Sequence, residues 1–211
     1  MGGGSETKAS DMLTGRQPDH LTPALMAEAE QLINGALSNL QKLSAVDAYC
    51  SIQEYLHQCD VGTDLQFQTR FNHYYRVRRD SVWREAFFTL MEKSKRDGIS
   101  FDRALADLFN RTGRLEASFA SKLVATIDPN QPVIDSVVLR RFGLRLPYHS
   151  APDRLQRVIR VYEQLSDGYA RLMGLPIGVM MRERFASAFP GKEITELKKI
   201  DLILWQVRDA A

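Results

Sequence analysis

Apolar residues recur at intervals of three and four along most of the chain, which is the spacing of one face of an α-helix. The first such face comprises Leu25, Ala29, Leu32, Ile33, Ala36, Leu37 and Leu40. A later face comprises Leu155, Ile159, Tyr162, Leu165, Tyr169 and Leu172. No segment alternates apolar and polar residues between turn signals, as a strand would, and no internal repeat is present. We therefore predict an all-α fold of nine or ten helices.

Capping residues and helix breakers divide this pattern into separate helices. Thr22-Pro23 predicts an N-cap followed by proline at the first helical position, and Ser44 predicts the N-cap of the second helix. A third helix is predicted over residues 65–79, and Gly113 is expected to end a later helix in the left-handed conformation.

The chain length suits one domain, or one domain with two helical lobes. Residues 1–20 mix Gly, Ser, Thr, Asp and Pro without apolar periodicity, which predicts a disordered tail or a leader. Residues 21–211 are predicted to form the helical domain.

The net charge of +2 conceals an uneven distribution of charge along the chain. Residues 1–64 carry three Lys or Arg against nine Asp or Glu, a net charge of −6. Residues 65–160 carry eighteen against ten, a net charge of +8, and residues 161–211 balance at seven against seven. A basic central segment favours a polyanionic partner, either DNA or an acidic protein.

No apolar run reaches the roughly 20 residues of a membrane-spanning helix, and the N-terminus has no basic and apolar secretory signal. We therefore expect a cytoplasmic protein with no membrane partner. Cys50 and Cys59 are expected to be free thiols in that reducing compartment, and a single disulfide between them is the alternative.

Motifs for cofactors and for common hydrolytic chemistry are absent. The chain has no phosphate-binding glycine loop, dinucleotide fingerprint, nucleophile elbow or metalloprotease helix. The histidines are scattered, at His20, His57, His73 and His149, so neither a zinc site nor a Ser-His-Asp triad is predicted. We expect no cofactor and no metal.

A cluster of arginine and aromatic residues lies within residues 70–84. Arginine side chains pair with phosphates, and interleaved aromatic rings can stack on unpaired bases. The candidate nucleic-acid-binding residues of this cluster are Arg70, Arg76, Arg78 and Arg79. The alternative is an amphipathic helix whose Phe67, Phe71 and Tyr74 face the core while its arginines face water.

A second cluster lies within residues 112–144. In chain order it comprises Lys122 on a predicted helix, a loop at residues 128–132, Ile134-Asp135, a short helix with Arg140 and Arg141, and a closing Gly143-Leu144. This arrangement resembles the helix-hairpin-helix DNA glycosylases, in which a lysine-bearing helix leads through a loop to a Val-Asp, an arginine and a Gly-Leu. The chain departs from that family in two respects: residues 114–121 contain no Gly-x-Gly hairpin, and Lys122 lies closer in sequence to Asp135.

The resemblance implies a protein that binds DNA and excises damaged or modified bases, with or without lyase activity. It implies that Asp135 is the catalytic carboxylate, which stabilises an oxocarbenium-like sugar or activates water. It also implies that Lys122 attacks the sugar carbon and forms a Schiff base, provided that its pKa is lowered. Further candidates for nucleic-acid binding in this segment are Arg114, Arg140 and Arg141.

Each of these assignments has a purely structural alternative. Asp135 can serve as an N-cap that accepts backbone N–H bonds, and Lys122 can be a solvated surface lysine. Near the C-terminus, Ile200 and Ile203 fit a core-facing helix, so we interpret that segment as packing, with Asp201 paired to a nearby cation.

Three hypotheses about function follow. The first is a glycosylase-like enzyme that acts on damaged or modified DNA bases. The second is a catalytically silent module of the same fold that holds nucleic acid through its arginines. The third is an interaction protein whose basic face binds an acidic partner protein.

Overall fold

The computed structural model describes residues 22–207, and within that range it contains ten helices and no strand, with 70% of the residues helical. The helices are α1 (Pro23–Lys42), α2 (Ala45–Leu56), α3 (Leu65–Tyr74), α4 (Ser81–Ser94), α5 (Phe101–Thr112), α6 (Ala117–Ile127), α7 (Ser136–Arg141), α8 (Arg154–Gly174), α9 (Pro176–Ala188) and α10 (Glu196–Gln206). The all-α prediction is confirmed. The predicted tail at residues 1–20 falls outside the described residues.

Side-chain caps begin several of the helices. Thr22 Oγ1 accepts a hydrogen bond from the Leu25 N–H at 3.3 Å, which confirms the predicted start of α1. Asp64 and Asp80 cap α3 and α4 in the same way. Gly113, with φ +67°, ends α5 in the left-handed conformation, as predicted. These caps satisfy backbone groups that a helix end leaves without a partner.

One predicted cap bond and one predicted helix boundary are wrong. Ser44 occupies the N-cap position of α2, as predicted, but its φ is +49° and its side chain makes no cap bond. α3 ends at Tyr74 rather than at residue 79, and Arg76 then adopts a left-handed φ of +52° that turns the chain. The arginines that follow therefore lie in the connection to α4 rather than on a helix face.

Two groups of helices share one hydrophobic core. In the first group α2 packs against α3, α4 packs against α5 and α6, and α5 packs against α6. In the second, α10 packs against α1, α7, α8 and α9. Contacts of α1 with α2 and of α5 with α8 join the groups, and the buried apolar residues form one continuous cluster.

Two further features of the described residues bear on function. No helix within residues 22–207 is both long and apolar enough to cross a bilayer. Cys50 and Cys59 are half-buried free thiols, which agrees with the prediction from the sequence.

Candidate active site

A cavity of about 140 Å³ lies between the two groups of helices. The first group contributes the C-terminal end of α3 and part of α6, and the second contributes the start of α7 and one face of α10. The lining residues are Tyr74, Tyr75, Arg76, Lys122, Val133, Asp135, Val138, Lys198, Asp201, Leu202 and Trp205. Charged groups of both signs thus converge between aromatic and aliphatic walls, an arrangement typical of ligand sites.

The Lys122 amine lies against aromatic rings on the wall of this cavity. Its Nζ atom is 4.8 Å from the ring centroid of Phe119 and 5.6 Å from that of Tyr75. Burial lowers the pKa of Lys122, and the positive charge of Lys198 lowers it further, whereas the Asp135 carboxylate raises it. Lys122 is therefore half-buried rather than a fully solvated lysine, and its neutral, nucleophilic form is more accessible than in an exposed lysine.

The Asp135 carboxylate is the N-cap of α7 and also lines the cavity. Its Oδ1 atom accepts a hydrogen bond from the Val137 N–H at 2.7 Å, so the capping interpretation is confirmed. The side chain is half-buried, and Oδ2 accepts no hydrogen bond from any described residue. The cap occupies one oxygen and fixes the carboxylate, which leaves the other oxygen available to a ligand.

A buried ion pair forms the floor of the cavity. Lys198 Nζ lies 2.6 Å from Asp201 Oδ2, and the two side chains are 5% and 7% exposed. Tyr169 donates its hydroxyl to Asp201 Oδ1 at 2.7 Å, and the Lys198 amine lies 5.0 Å from the ring centroid of Tyr49. The predicted pairing of Asp201 with a cation is confirmed, but the segment does more than pack, because it also carries charge into the cavity.

Lys198 and Tyr169, which both contact Asp201, keep one protonation state each. Although burial by itself would lower the pKa of Lys198, the Asp201 carboxylate and the surrounding tyrosines raise it well above its ordinary value. Burial and the Asp201 charge raise the pKa of Tyr169 well above its usual range. Lys198 therefore stays an ammonium and Tyr169 a neutral donor at any physiological pH.

Arg70, Arg76 and Arg78 of the first cluster are exposed, and the last two lie in the connection from α3 to α4. Arg76 lines the mouth of the cavity, and Arg78 lies two residues further along the connection to α4. Neither side chain forms an ion pair with a described residue. Both are consequently free to contact an anionic ligand close to the cavity.

Arg79 is held in a structural contact. Its Nε and Nη2 atoms donate to the two carboxylate oxygens of Glu116 at 3.0 and 3.1 Å. Its guanidinium also lies 5.2 Å from the ring centroid of Phe119 and 5.9 Å from that of Trp83. The same Phe119 ring contacts Lys122. The Arg79–Glu116 pair therefore helps to hold in place the ring against which Lys122 packs.

Arg70 lies on α3, away from the cavity lining. It donates to Ser51 Oγ at 2.6 Å and lies 5.3 Å from the ring centroid of Tyr55, both on α2. The aromatic residues of α3 divide as the amphipathic alternative predicts, since Phe67 and Phe71 are fully buried. Tyr74 differs, because it lines the cavity.

The three candidate arginines of the second cluster lie in different surroundings. Arg114 and Arg140 are exposed, and Arg140 Nε donates to the Ser136 carbonyl at 3.3 Å. Arg141 is buried, and its Nη2 atom donates to the Val207 carbonyl at 2.9 Å. Arg141 therefore ties α7 to the end of α10, inside the protein.

Sequence reasoning missed several residues that build the site. Lys198 was assigned to packing, and neither Trp205 nor Tyr75 was given a role at the cavity. One signal was present in the sequence: Asp201 interrupts the apolar run from Ile200 to Trp205, where a charge is seldom buried without a partner, and Lys198 lies three positions before it. No signal of this kind marked Trp205.

Within the part of the chain that the structure describes, no group of three or more His, Cys, Asp or Glu residues is placed to hold a metal ion. Comparison of the chain with protein-family models, with curated proteins and with solved structures finds no match.

Proposed function

We propose that this chain is a divergent DNA-glycosylase-like protein, which binds DNA and breaks the N-glycosidic bond of a damaged or modified base at the cavity between α6 and α7. The observation that carries this proposal is the convergence of a half-buried amine and a carboxylate, Lys122 and Asp135, on one cavity. The resemblance of residues 112–144 to the helix-hairpin-helix glycosylases supports the same assignment.

Lys122 supplies the nucleophile in this proposal. Burial favours its neutral amine, which attacks the anomeric carbon of the sugar. The new nitrogen–carbon bond forms as the bond between that carbon and the base breaks, and the base leaves with the electron pair and takes up a proton. The attached amine loses a proton, and the bond between the anomeric carbon and the ring oxygen then breaks as the carbon–nitrogen double bond of the imine forms. The ring oxygen keeps the electron pair of the broken bond and takes up a proton. Water then adds to the imine carbon and releases Lys122 as an amine, which leaves an abasic sugar.

Asp135 supplies the negative charge. The reacting sugar develops positive charge as the base departs, and a fixed carboxylate lowers the energy of that state. The cap bond to Val137 holds Asp135 Oδ1, so Oδ2 is already oriented when the sugar enters the cavity. Such preorganisation avoids reorientation during the reaction.

DNA binding is supported by the distribution of charge. Residues 65–160 carry a net charge of +8, and Arg76 lies exposed at the mouth of the cavity. Arg78, Arg114 and Arg140 are exposed in the same stretch of sequence. In the proposed complex these arginines contact phosphates while the target base is turned out of the stack toward the cavity.

The test is excision from a panel of oligonucleotides that carry oxidised, alkylated or deaminated bases, with borohydride added to trap a Schiff base. The parent protein should excise at least one base and form a covalent adduct. Lys122→Gln should lose the adduct, whereas Lys93→Gln, which removes an exposed lysine of α4, should retain it. If the parent excises no base from the panel, the enzymatic assignment fails.

A catalytically silent DNA-binding module is the second candidate. Two observations favour it: Asp135 already has a structural role as the cap of α7, and the connection from α5 to α6 lacks the glycine-rich hairpin. Salt-sensitive DNA binding without excision would support this module. Absence of DNA binding at about 50 mM salt would instead favour an acidic protein partner.

A further inference from the structure

The segment that joins α7 to α8 presents a tyrosine ring to solvent. Tyr148 is 86% exposed, more than any other large apolar or aromatic side chain among the described residues. It is also the only exposed large apolar or aromatic side chain within residues 136–160, all of which the structure describes. A single exposed ring is common on protein surfaces and does not by itself indicate a ligand, so the residues beside Tyr148 decide its role.

The backbone beside Tyr148 is fixed in place. Leu144 and Leu146 pack against the core, and the Tyr148 carbonyl accepts a hydrogen bond from the Ala151 N–H at 3.1 Å. Pro147 precedes the tyrosine and restricts the backbone further. The turn that carries the ring is thus anchored, so little backbone freedom would be lost when a ligand binds to Tyr148.

Positively charged residues flank this turn in the sequence. Residues 136–160 carry six arginines against one acidic residue, a net charge of +5. Arg145, Arg157 and Arg160 are exposed, and none of them forms an ion pair with a described residue. Arg154 lies one turn before Arg157 on α8. Its Nε atom is buried without a hydrogen-bond partner. Arg145, Arg154, Arg157 and Arg160 thus form no ion pair with a described residue.

The combination points to one class of ligand. A protein partner would ordinarily cover several exposed large apolar side chains, whereas Tyr148 is the only one within residues 136–160. Its exposed neighbours in the sequence are Gly143, Arg145, His149, Ser150, Pro152 and Asp153. Single-stranded nucleic acid offers both a base face for the ring and phosphates for the arginines. Paired DNA hides its base faces within the stack, so it would use the arginines alone.

We infer that Tyr148 and the arginines of residues 145–160 form a binding surface for unpaired DNA, in which the tyrosine stacks on a base and the arginines contact the flanking phosphates. This inference rests on the proposed function in one respect, namely that DNA is the ligand. It does not depend on excision at Lys122 and Asp135. The surface would favour DNA that is single-stranded, mismatched or locally opened.

Fluorescence anisotropy of a labelled oligodeoxythymidylate, alone and paired with its complement, tests the inference. Tyr148→Ala should raise the Kd for the single strand by about 5- to 100-fold, which is the usual effect of losing one stacked base, and should change the duplex Kd much less. Tyr148→Phe keeps the ring and should bind within about twofold of the parent. Arg154→Gln combined with Arg157→Gln should weaken binding to both forms and reduce the salt dependence.

Phe109→Ala is the matched control, because it removes a 46% exposed ring from α5, outside the arginine-rich segment. Equal single-strand affinity of Tyr148→Ala and the parent, or equal losses for Tyr148→Ala and Phe109→Ala, would overturn the inference. Equally tight binding of polyglutamate would also overturn it and would indicate an acidic protein partner. A parent that binds Tyr148-dependently but excises no base retains this surface and loses the proposed chemistry, whereas a parent that binds no oligonucleotide refutes both.

Discussion

Lys198 Nζ lies 2.6 Å from Asp201 Oδ2, and this buried pair forms the floor of the cavity that Lys122 and Asp135 line. Both members come from a single face of α10, which the remaining helices of its group surround. Buried charges of this kind are tolerated when each has a partner and additional hydrogen bonds, which Tyr169 supplies here. The pair therefore couples the stability of α10 to the electrostatics of the site.

Asp201→Ala should destabilise the protein by about 3–5 kcal/mol, because it leaves the Lys198 ammonium buried without a counter-charge. The double variant Lys198→Met with Asp201→Leu removes both charges and should recover much of that loss. Urea denaturation of the three proteins measures the free energies of unfolding. A loss below about 1 kcal/mol for Asp201→Ala would show that the pair contributes little.

The two roles of Asp135 can be separated by two substitutions. Asp135→Asn keeps a cap acceptor for the Val137 N–H but removes the charge, so stability should change little while base excision is lost. Asp135→Ala removes the cap as well and should cost a further 0.5–2 kcal/mol or so, as N-cap substitutions usually do. Thermal unfolding and the excision assay measure the two effects. Excision by Asp135→Asn at the parental rate would reduce Asp135 to a cap.

Lys122 should titrate below an ordinary exposed lysine, because its pKa is lowered, chiefly by burial. Asp135→Asn should lower that pKa further, since the carboxylate that favours the ammonium is gone. NMR of reductively methylated lysines follows the titration of Lys122 directly.

The same shift has a consequence for stability. A lysine whose folded pKa lies below its unfolded value contributes stability that is fully present above the unfolded pKa of about 10.5 and is lost as the pH falls through the lowered pKa. Lys122→Met should therefore be less sensitive than the parent to pH in that alkaline window. Titration of Lys122 at the ordinary lysine value of about 10.5 would contradict the burial argument.

Arg76 and Arg78 should contribute to DNA affinity without contributing to the fold. Replacing both with Gln should weaken binding and lower the slope of log Kd against log salt by about 2, one unit for each lost phosphate contact. Arg96→Gln with Arg103→Gln removes the same charge from exposed positions elsewhere in the basic segment and should lower the slope much less. Equal slopes for the two double variants would show that the cavity mouth is not the contact.

Arg79 is unsuited to that test, because its bidentate bond to Glu116 contributes to the fold. Substituting it together with Arg76 and Arg78 would confuse lost stability with lost binding. Keeping Arg79 intact leaves any change in affinity attributable to the two exposed side chains.

The helices and many of their boundaries could be predicted because their causes are local. The spacing of Leu25, Ile33 and Leu40 marks one face of α1. Thr22 and Asp135 accept hydrogen bonds from backbone N–H groups two or three residues further on, and Gly113 ends α5 through its own left-handed backbone. The end of α3 was missed because Arg76 takes a left-handed conformation, which arginine seldom adopts. No residue next to Arg76 predicts a turn there.

The site was only partly predictable. Lys122 and Asp135 lie 13 positions apart on consecutive elements, so a short loop was enough to bring them to one cavity, as the sequence indicated. Lys198, Asp201 and Trp205 reach the same cavity through the packing of α10 against α7, across more than 50 residues of chain.

The sequence by itself determined the helical class, the caps of α1 and α7 and the charge of the basic segment, because each depends on residue type and near neighbours. Only the tertiary structure decided which charged side chains are exposed to a ligand and which are buried. It placed Arg141 against the Val207 carbonyl inside the protein and left Arg76 at the mouth of the cavity. Burial is set by the packing of distant helices, and no spacing within one segment encodes it.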